Sequence, residues 1–138
     1  MTNAVGKRKD VKSILFVCIE NSNRSQMAEA FARMLGGEQV DAHSAGSKPS
    51  GRVNPCAIES MKEIGYDLST HRSKALSAIP QGGFDAVVSM GCGDACPFVP
   101  AKLREEWEIP DPKQMEGEDF RWVRDLIRDK VKDLLARL

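Results

Sequence analysis

The sequence carries no excess charge of either sign, because 20 Lys and Arg residues offset 20 Asp and Glu. It therefore lacks the global field that would hold nucleic acid or an anionic membrane surface. No stretch approaches the roughly 18 apolar residues of a membrane span, and the opening MTNAVGKRKDVK has no apolar centre of the secretory-signal kind. The cytoplasm is the expected compartment. Residues 1–12 are expected to form a polar tail rather than a nucleic-acid arm. Repeats, low-complexity tracts and interdomain linkers are also missing. The 138 residues thus predict one domain over residues 13–138, expected to act as a monomer.

Cysteine is scarce, with only Cys18, Cys56, Cys92 and Cys96. A domain of this size with a proper core needs no disulfide staples. Structural zinc wants four ligands in paired short spacings, whereas here only Cys92 and Cys96 are close and Cys18, Cys56, His43 and His71 are scattered. Packing and reactivity are left to explain the thiols. Cys56 is expected in the core, His43 and His71 in packing or polar networks, and Trp107 and Trp122 in the core or a groove wall.

The pattern of apolar residues alternates between strand and helix. SILFVC is a short apolar run suited to a strand covered on both faces. Ser22 or Asn23 can cap a following helix with Met27, Phe31, Met34 and Leu35 at helical spacing, ended by Gly36-Gly37. VDAHSAG predicts a second strand and PSGRVNP a turn, followed by a helix with Ala57, Ile58, Met61 and Ile64 on one face and a stop at Gly65. FDAVVSM predicts a third strand, and a segment around Trp107 and Ile109 a fourth. Phe120, Val123, Ile127, Val131, Leu134 and Leu135 mark a final helix. This order predicts an α/β domain, a four-stranded parallel sheet with helices on both faces. Ligands of such sheets gather beyond the carboxyl ends of the strands, where Cys18 and Cys92 both fall. The long irregular stretch, roughly 91–117, has the character of a functional loop.

The loop CIENSNRS joins the first strand to the first helix. A turn of this kind aims successive backbone N–H groups at one point, and the helix start adds positive potential there. Residues Ile19, Glu20, Asn21, Ser22, Asn23, Arg24 and Ser25 are thus candidates to cradle an anion. Cys18 enters this field as a thiol whose pKa such surroundings lower, and Arg24 can hold two oxyanion oxygens in a fork. Ser25 can donate to the thiolate, and Asn21 tolerates a left-handed turn. Nucleophile and clamp converge on one tetrahedral anion.

A cysteine, five residues, then Arg24-Ser25 resembles the signature of the low-molecular-weight protein tyrosine phosphatases and of the arsenate reductases that share their fold. CIENSNRSQMAEAF, HSAG, VNPCAIESMKEIGYDLSTHRSK, FDAVVSMGCGDACP and IPDP follow in that superfamily's order over residues 13–137. The resemblance implies that Asp111 of IPDP is the general acid and that Ser44 of HSAG buttresses the loop. SMGCGDACPFVP resembles the reductases' redox segment, so Cys92 would attack Cys18 and Cys96 would then attack Cys92. Electrons would come from a thiol donor: thioredoxin, glutaredoxin with glutathione, or a small thiol such as mycothiol. Arsenate or phosphate would be the oxyanion bound. No tightly bound cofactor is implied beyond a weak potassium site matching Asn21, Glu29, Ser44 and Asp67.

Some positions depart from the family's pattern. Glu20 and Asn23 replace residues commonly glycine and cysteine, and Glu20 is expected to face solvent. The spacing of Cys92 and Cys96 is shorter than in the best-known thioredoxin-coupled enzymes. DPKQMEGEDF offers no tyrosine to grip a phenyl ring. The expected activity is therefore arsenate reduction. A tyrosine phosphatase with a Cys18 phospho-enzyme and a non-catalytic oxyanion or redox sensor are the alternatives.

Overall fold

The computed structural model describes residues 11–80, 82–91 and 99–138. Four parallel strands form one sheet in the order β2-β1-β3-β4, with β1 at Lys12–Cys18, β2 at Val40–Gly46, β3 at Phe84–Ser89 and β4 at Ala101–Glu106. Three α-helices, α1 (Arg24–Gly36), α2 (Pro55–Lys62) and α3 (Gly117–Arg137), complete the architecture.

Strand β1 shows why the core divides in two. Its side chains alternate between faces: Ile14, Phe16 and Cys18 join the larger core with residues of all three α-helices, whereas Leu15 and Val17 join a smaller one. That second core holds Ile79 and Phe84 and is flanked by Leu76, on the short 3-10 turn Leu76–Ala78. Helical segments thus cover both faces, unequally. Arg124 of α3 is buried and donates to the Ser60 carbonyl of α2 at 2.8 Å and to Glu63 at 2.9 Å, which ties the two helices together.

Several expectations need correction. The fourth strand is AKLREE, before Trp107 rather than around it. As an edge strand it alternates half-buried with exposed positions, so it lacks an apolar run. Trp107 and Ile109 follow it as buried plugs, Trp107 with its ring 5.9 Å from that of Phe16. The stretch 91–117 is accordingly less irregular than expected. Met34, Leu35 and Ile64 are exposed, since burial on α1 ends at Ala32 and on α2 at Met61. Cys56 is exposed, one position off the Ala57/Ser60/Met61 face, and Trp122 is exposed on α3.

Candidate active site

The cradle is built by bracing its outside. Every carbonyl from Cys18 to Asn23 accepts a hydrogen bond from a neighbouring segment or from α1. Cys18 O takes Ser47 N–H (3.3 Å), Ile19 O takes Lys48 N–H (2.8 Å), Glu20 O takes Ser50 N–H (3.0 Å), and Ser22 O takes Asn54 N–H (3.1 Å). Asn21 O accepts from Gln26 Nε2 (3.1 Å) and Asn23 O from Met27 N–H (3.0 Å). In a trans peptide the N–H points opposite to the carbonyl. Carbonyls turned outward therefore turn the N–H groups of residues 19–24 toward a common centre. The turn material of residues 47–54 is thus the outer brace of the loop. Asn21 closes the turn with a φ of 52°, the only positive φ outside glycine among the described residues.

Inside the cradle, Cys18 Sγ lies 2.8 Å from Ser25 Oγ and is buried. Arg24, also buried, donates from Nη1 to the Ile109 carbonyl (3.0 Å) and places Nη2 3.8 Å from Asp111 Oδ2. Asp111 is half exposed, and its Oδ1 accepts from Lys113 N–H (3.0 Å). Gly91 packs on the guanidinium so closely that a Cβ would come within 2.5 Å of Nη1. A pocket of about 60 Å³ lies between Cys18, Glu20, Asn23, Arg24, Asp111 and Lys113. Its size suits a small tetrahedral oxyanion. Asn23 adds a buried amide oxygen with no hydrogen-bond partner among the described residues.

A continuous chain of hydrogen bonds leads into Cys18 from behind. Gln26 Nε2 donates to Asn21 Oδ1 (2.9 Å) and to Arg72 O (2.8 Å), so its Oε1 must accept from His71 Nδ1 (2.9 Å). That fixes the tautomer: Nδ1 carries the proton and Nε2 accepts from Tyr66 OH (2.6 Å). Lys74 N–H also donates to Asn21 Oδ1 (2.9 Å), which leaves Asn21 Nδ2 to donate to Ser25 Oγ (2.8 Å) and the Ser25 hydroxyl to donate to sulfur. From Tyr66 through His71, Gln26, Asn21 and Ser25, each link donates to the next and the last donates to the Cys18 sulfur. Gln26, Tyr66 and Lys74 enter this chain without any signal in the sequence beyond their place in NSNRSQ and GYDLSTHRSK, whereas His71 takes the polar-network place expected of it.

Burial holds the His71 pKa below its ordinary 6.5, with Arg33 and Lys74 adding to the effect and Glu29 opposing it. His71 is therefore neutral when folded, as the tautomer requires. Below pH 6.5 the unfolded chain binds a proton that the native state refuses, so stability present above that pH is lost as the pH falls toward the folded pKa. Thermal melts between pH 7.5 and 5.5 should show a falling Tm, and His71→Asn should remove that dependence. An equal slope in the variant would contradict the assignment.

Of the expected potassium set, Ser44 and Glu29 meet directly, Ser44 Oγ donating to Glu29 Oε1 at 2.6 Å. Asp67 is exposed and caps the turn Leu68–Thr70 through Ser69, and Asn21 is engaged with Ser25 and Gln26. Two side-chain cations attend Glu29: Arg33 at 2.8 Å and Lys74 at 3.7 Å. Among the described residues no group of three or more His, Cys, Asp and Glu could hold a metal ion. Cys92 and Cys96 lie outside the described residues, as do residues 1–10 of the expected tail. His43 is half-buried beside Asp41 and Phe84.

A parallel sheet with a braced loop beyond β1, a buried thiol and a buried arginine beside it defines a class of protein. Residues 13–138 match the family described as low molecular weight phosphotyrosine protein phosphatase, and the chain belongs to that family. Its similar relatives carry a more particular description. One is a glutaredoxin arsenate reductase of Synechocystis, 38% identical over 93% of this chain and 99% of its own. A solved arsenate reductase in the phosphate binding state is 36% identical with a TM-score of 0.82, covering 92% of this chain and 98% of the other. A thioredoxin-dependent arsenate reductase of Corynebacterium glutamicum is 32% identical with a TM-score of 0.75, over 94% of this chain and 62% of the other. No helix among the described residues is long and apolar enough to cross a membrane.

Proposed function

We propose that this arsenate reductase of the low-molecular-weight phosphatase type works through Cys18 as nucleophile, Arg24 as clamp, Asp111 as proton donor, and Cys92 and Cys96 as a thiol relay. The observation that carries the first half is the Cys18 sulfur at the floor of a pocket ringed by inward N–H groups and Arg24. Arsenate seated there presents arsenic to the thiolate. An As–S bond forms as a hydroxyl leaves, protonated by Asp111 to give water. A second thiolate, Cys92, then attacks Sγ of Cys18. The lone pair of the attacking thiolate makes the new S–S bond while the electron pair of the As–S bond leaves with arsenic, so arsenic(V) departs as arsenite, arsenic(III). Cys96 moves the disulfide on by attacking Cys92, and a dithiol donor of the thioredoxin or glutaredoxin kind, or a small thiol, restores the resting state. The named donors of the relatives support this coupling.

The test is arsenite production by purified protein supplied with thioredoxin and its reductase, or with glutaredoxin and glutathione, in wild type and in C18S, C92S and C96S. Turnover lost in all three variants supports the relay. Failure of every donor, together with aryl phosphate hydrolysis undiminished in C92S and C96S, would leave the enzyme a phosphatase.

A further inference from the structure

Two charged side chains meet across the mouth of the pocket. Glu20 comes from the cradle and Lys113 from the segment after β4, 93 positions away in the chain, and Lys113 Nζ donates to Glu20 Oε2 at 2.7 Å. Both residues line the pocket. Lys113 is held at a second point, since its own backbone N–H donates to Asp111. The residue that spans the mouth is therefore also fixed to the segment bearing the proton donor. The contact with Glu20 raises the pKa of the Lys113 ammonium, which is charged throughout the neutral range in any case. A carboxylate at the entrance of an anion site repels its ligand unless it is neutralised, and Lys113 supplies that neutralisation.

We propose that the Glu20–Lys113 pair is a strap that makes the pocket selective for free inorganic oxyanions over phosphate monoesters bearing an aryl or peptidyl group. The inference rests on the reading of this pocket as an arsenate site. Three oxygens of a tetrahedral anion face the inward N–H groups and Arg24, while the fourth substituent points away from the attacking sulfur, out through the mouth. In arsenate or phosphate that substituent is a single oxygen, which fits beneath the strap. In a monoester it carries an organic group that must pass between Glu20 and Lys113, so the ion pair has to open. Both side chains are substantially exposed, 38% and 54%, and exposed ion pairs are weak. The discrimination held by the strap is accordingly about fivefold.

Isothermal titration with inorganic phosphate and with benzylphosphonate tests this without requiring turnover. The ratio of benzylphosphonate to phosphate affinity should rise about fivefold in both Glu20→Gln and Lys113→Met. It should return toward the wild-type ratio in the charge-exchanged Glu20→Lys/Lys113→Glu protein, which rebuilds the pair. If instead both ligands tighten together in Glu20→Gln and weaken together in Lys113→Met, leaving the ratio unchanged, the pair contributes charge only and the strap is refuted. An unchanged ratio with no shift at all refutes it equally. Absence of arsenate turnover in the wild-type protein with every donor, alongside intact binding selectivity, would fault the reductase reading alone, so the two failures are separable.

Discussion

Arg24→Lys is expected to lower kcat/KM for arsenate by about a hundredfold or more, while leaving the protein folded. The magnitude follows from how many tasks the guanidinium performs. Nη1 is committed to the Ile109 carbonyl, which fixes the plane of the group, and Nη2 is turned toward Asp111 at the pocket wall. A planar fork so anchored can present two donors to two oxygens of the anion at once. A lysine ammonium is a single point charge on a flexible stem, so it can serve either Ile109 or the anion but cannot hold both in register. Removing one preorganised donor from a developing oxyanion typically costs 10²–10³ in rate. The charge itself survives the substitution, so phosphate affinity should fall less than kcat/KM for arsenate, and titration alongside steady-state kinetics measures the difference. A loss below tenfold would mean that the backbone cradle carries the anion and the arginine is incidental.

Arg24 also shows how unevenly the site could be read from sequence. Its proposed role as clamp rests on local spacing, because residues 18–25 form one loop whose geometry is set by the strand before it and the helix after it. What holds Arg24 in place does not. The Ile109 carbonyl and the Cβ-free face of Gly91 come from distant segments, and nothing in the residue type of Ile109 marks its carbonyl as an acceptor. The same division runs through the fold. VDAHSAG forms β2 over the residues expected, and the buried stripe of α3 follows the apolar periodicity, since both are cases where one residue set faces one core. AKLREE carries no strand signal because an edge strand with one half-buried face resembles a solvated loop in composition. Met34 and Leu35 have the right spacing for burial, but spacing says which face a residue occupies and not whether anything covers that turn. The motif HSAG singles out Ser44, which the structure bonds to Glu29, whereas the chain through Gln26, His71 and Tyr66 depends on rotamers and a tautomer that only the assembled structure determines.

Gly46→Ala is expected to damage both stability and oxyanion binding, although residue 46 touches no ligand. Gly46 ends β2 beside Cys18 in the register of the sheet, directly against the back of the cradle. A Cβ there would lie 2.5 Å from Ile19 O and 3.0 Å from Asn21 N. Both obstructing atoms are backbone, so no side-chain rotation can relieve the contact. Retreat of β2 is also resisted, because Gly46 N–H donates to Lys74 O (2.9 Å) and Lys48 N–H donates to Ile19 O (2.8 Å). The loop must therefore move, and overpacking of this kind costs about 1–3 kcal/mol of stability. Displacing Ile19 and Asn21 also turns their N–H groups away from the common centre and breaks the alignment of Asn21 with Ser25. Phosphate affinity should fall at least tenfold at temperatures where circular dichroism still reports a folded protein. A Gly46→Ala protein that melts earlier but binds phosphate as tightly as wild type would show that the cradle tolerates displacement. The convergence of its N–H groups would then not be the source of anion binding.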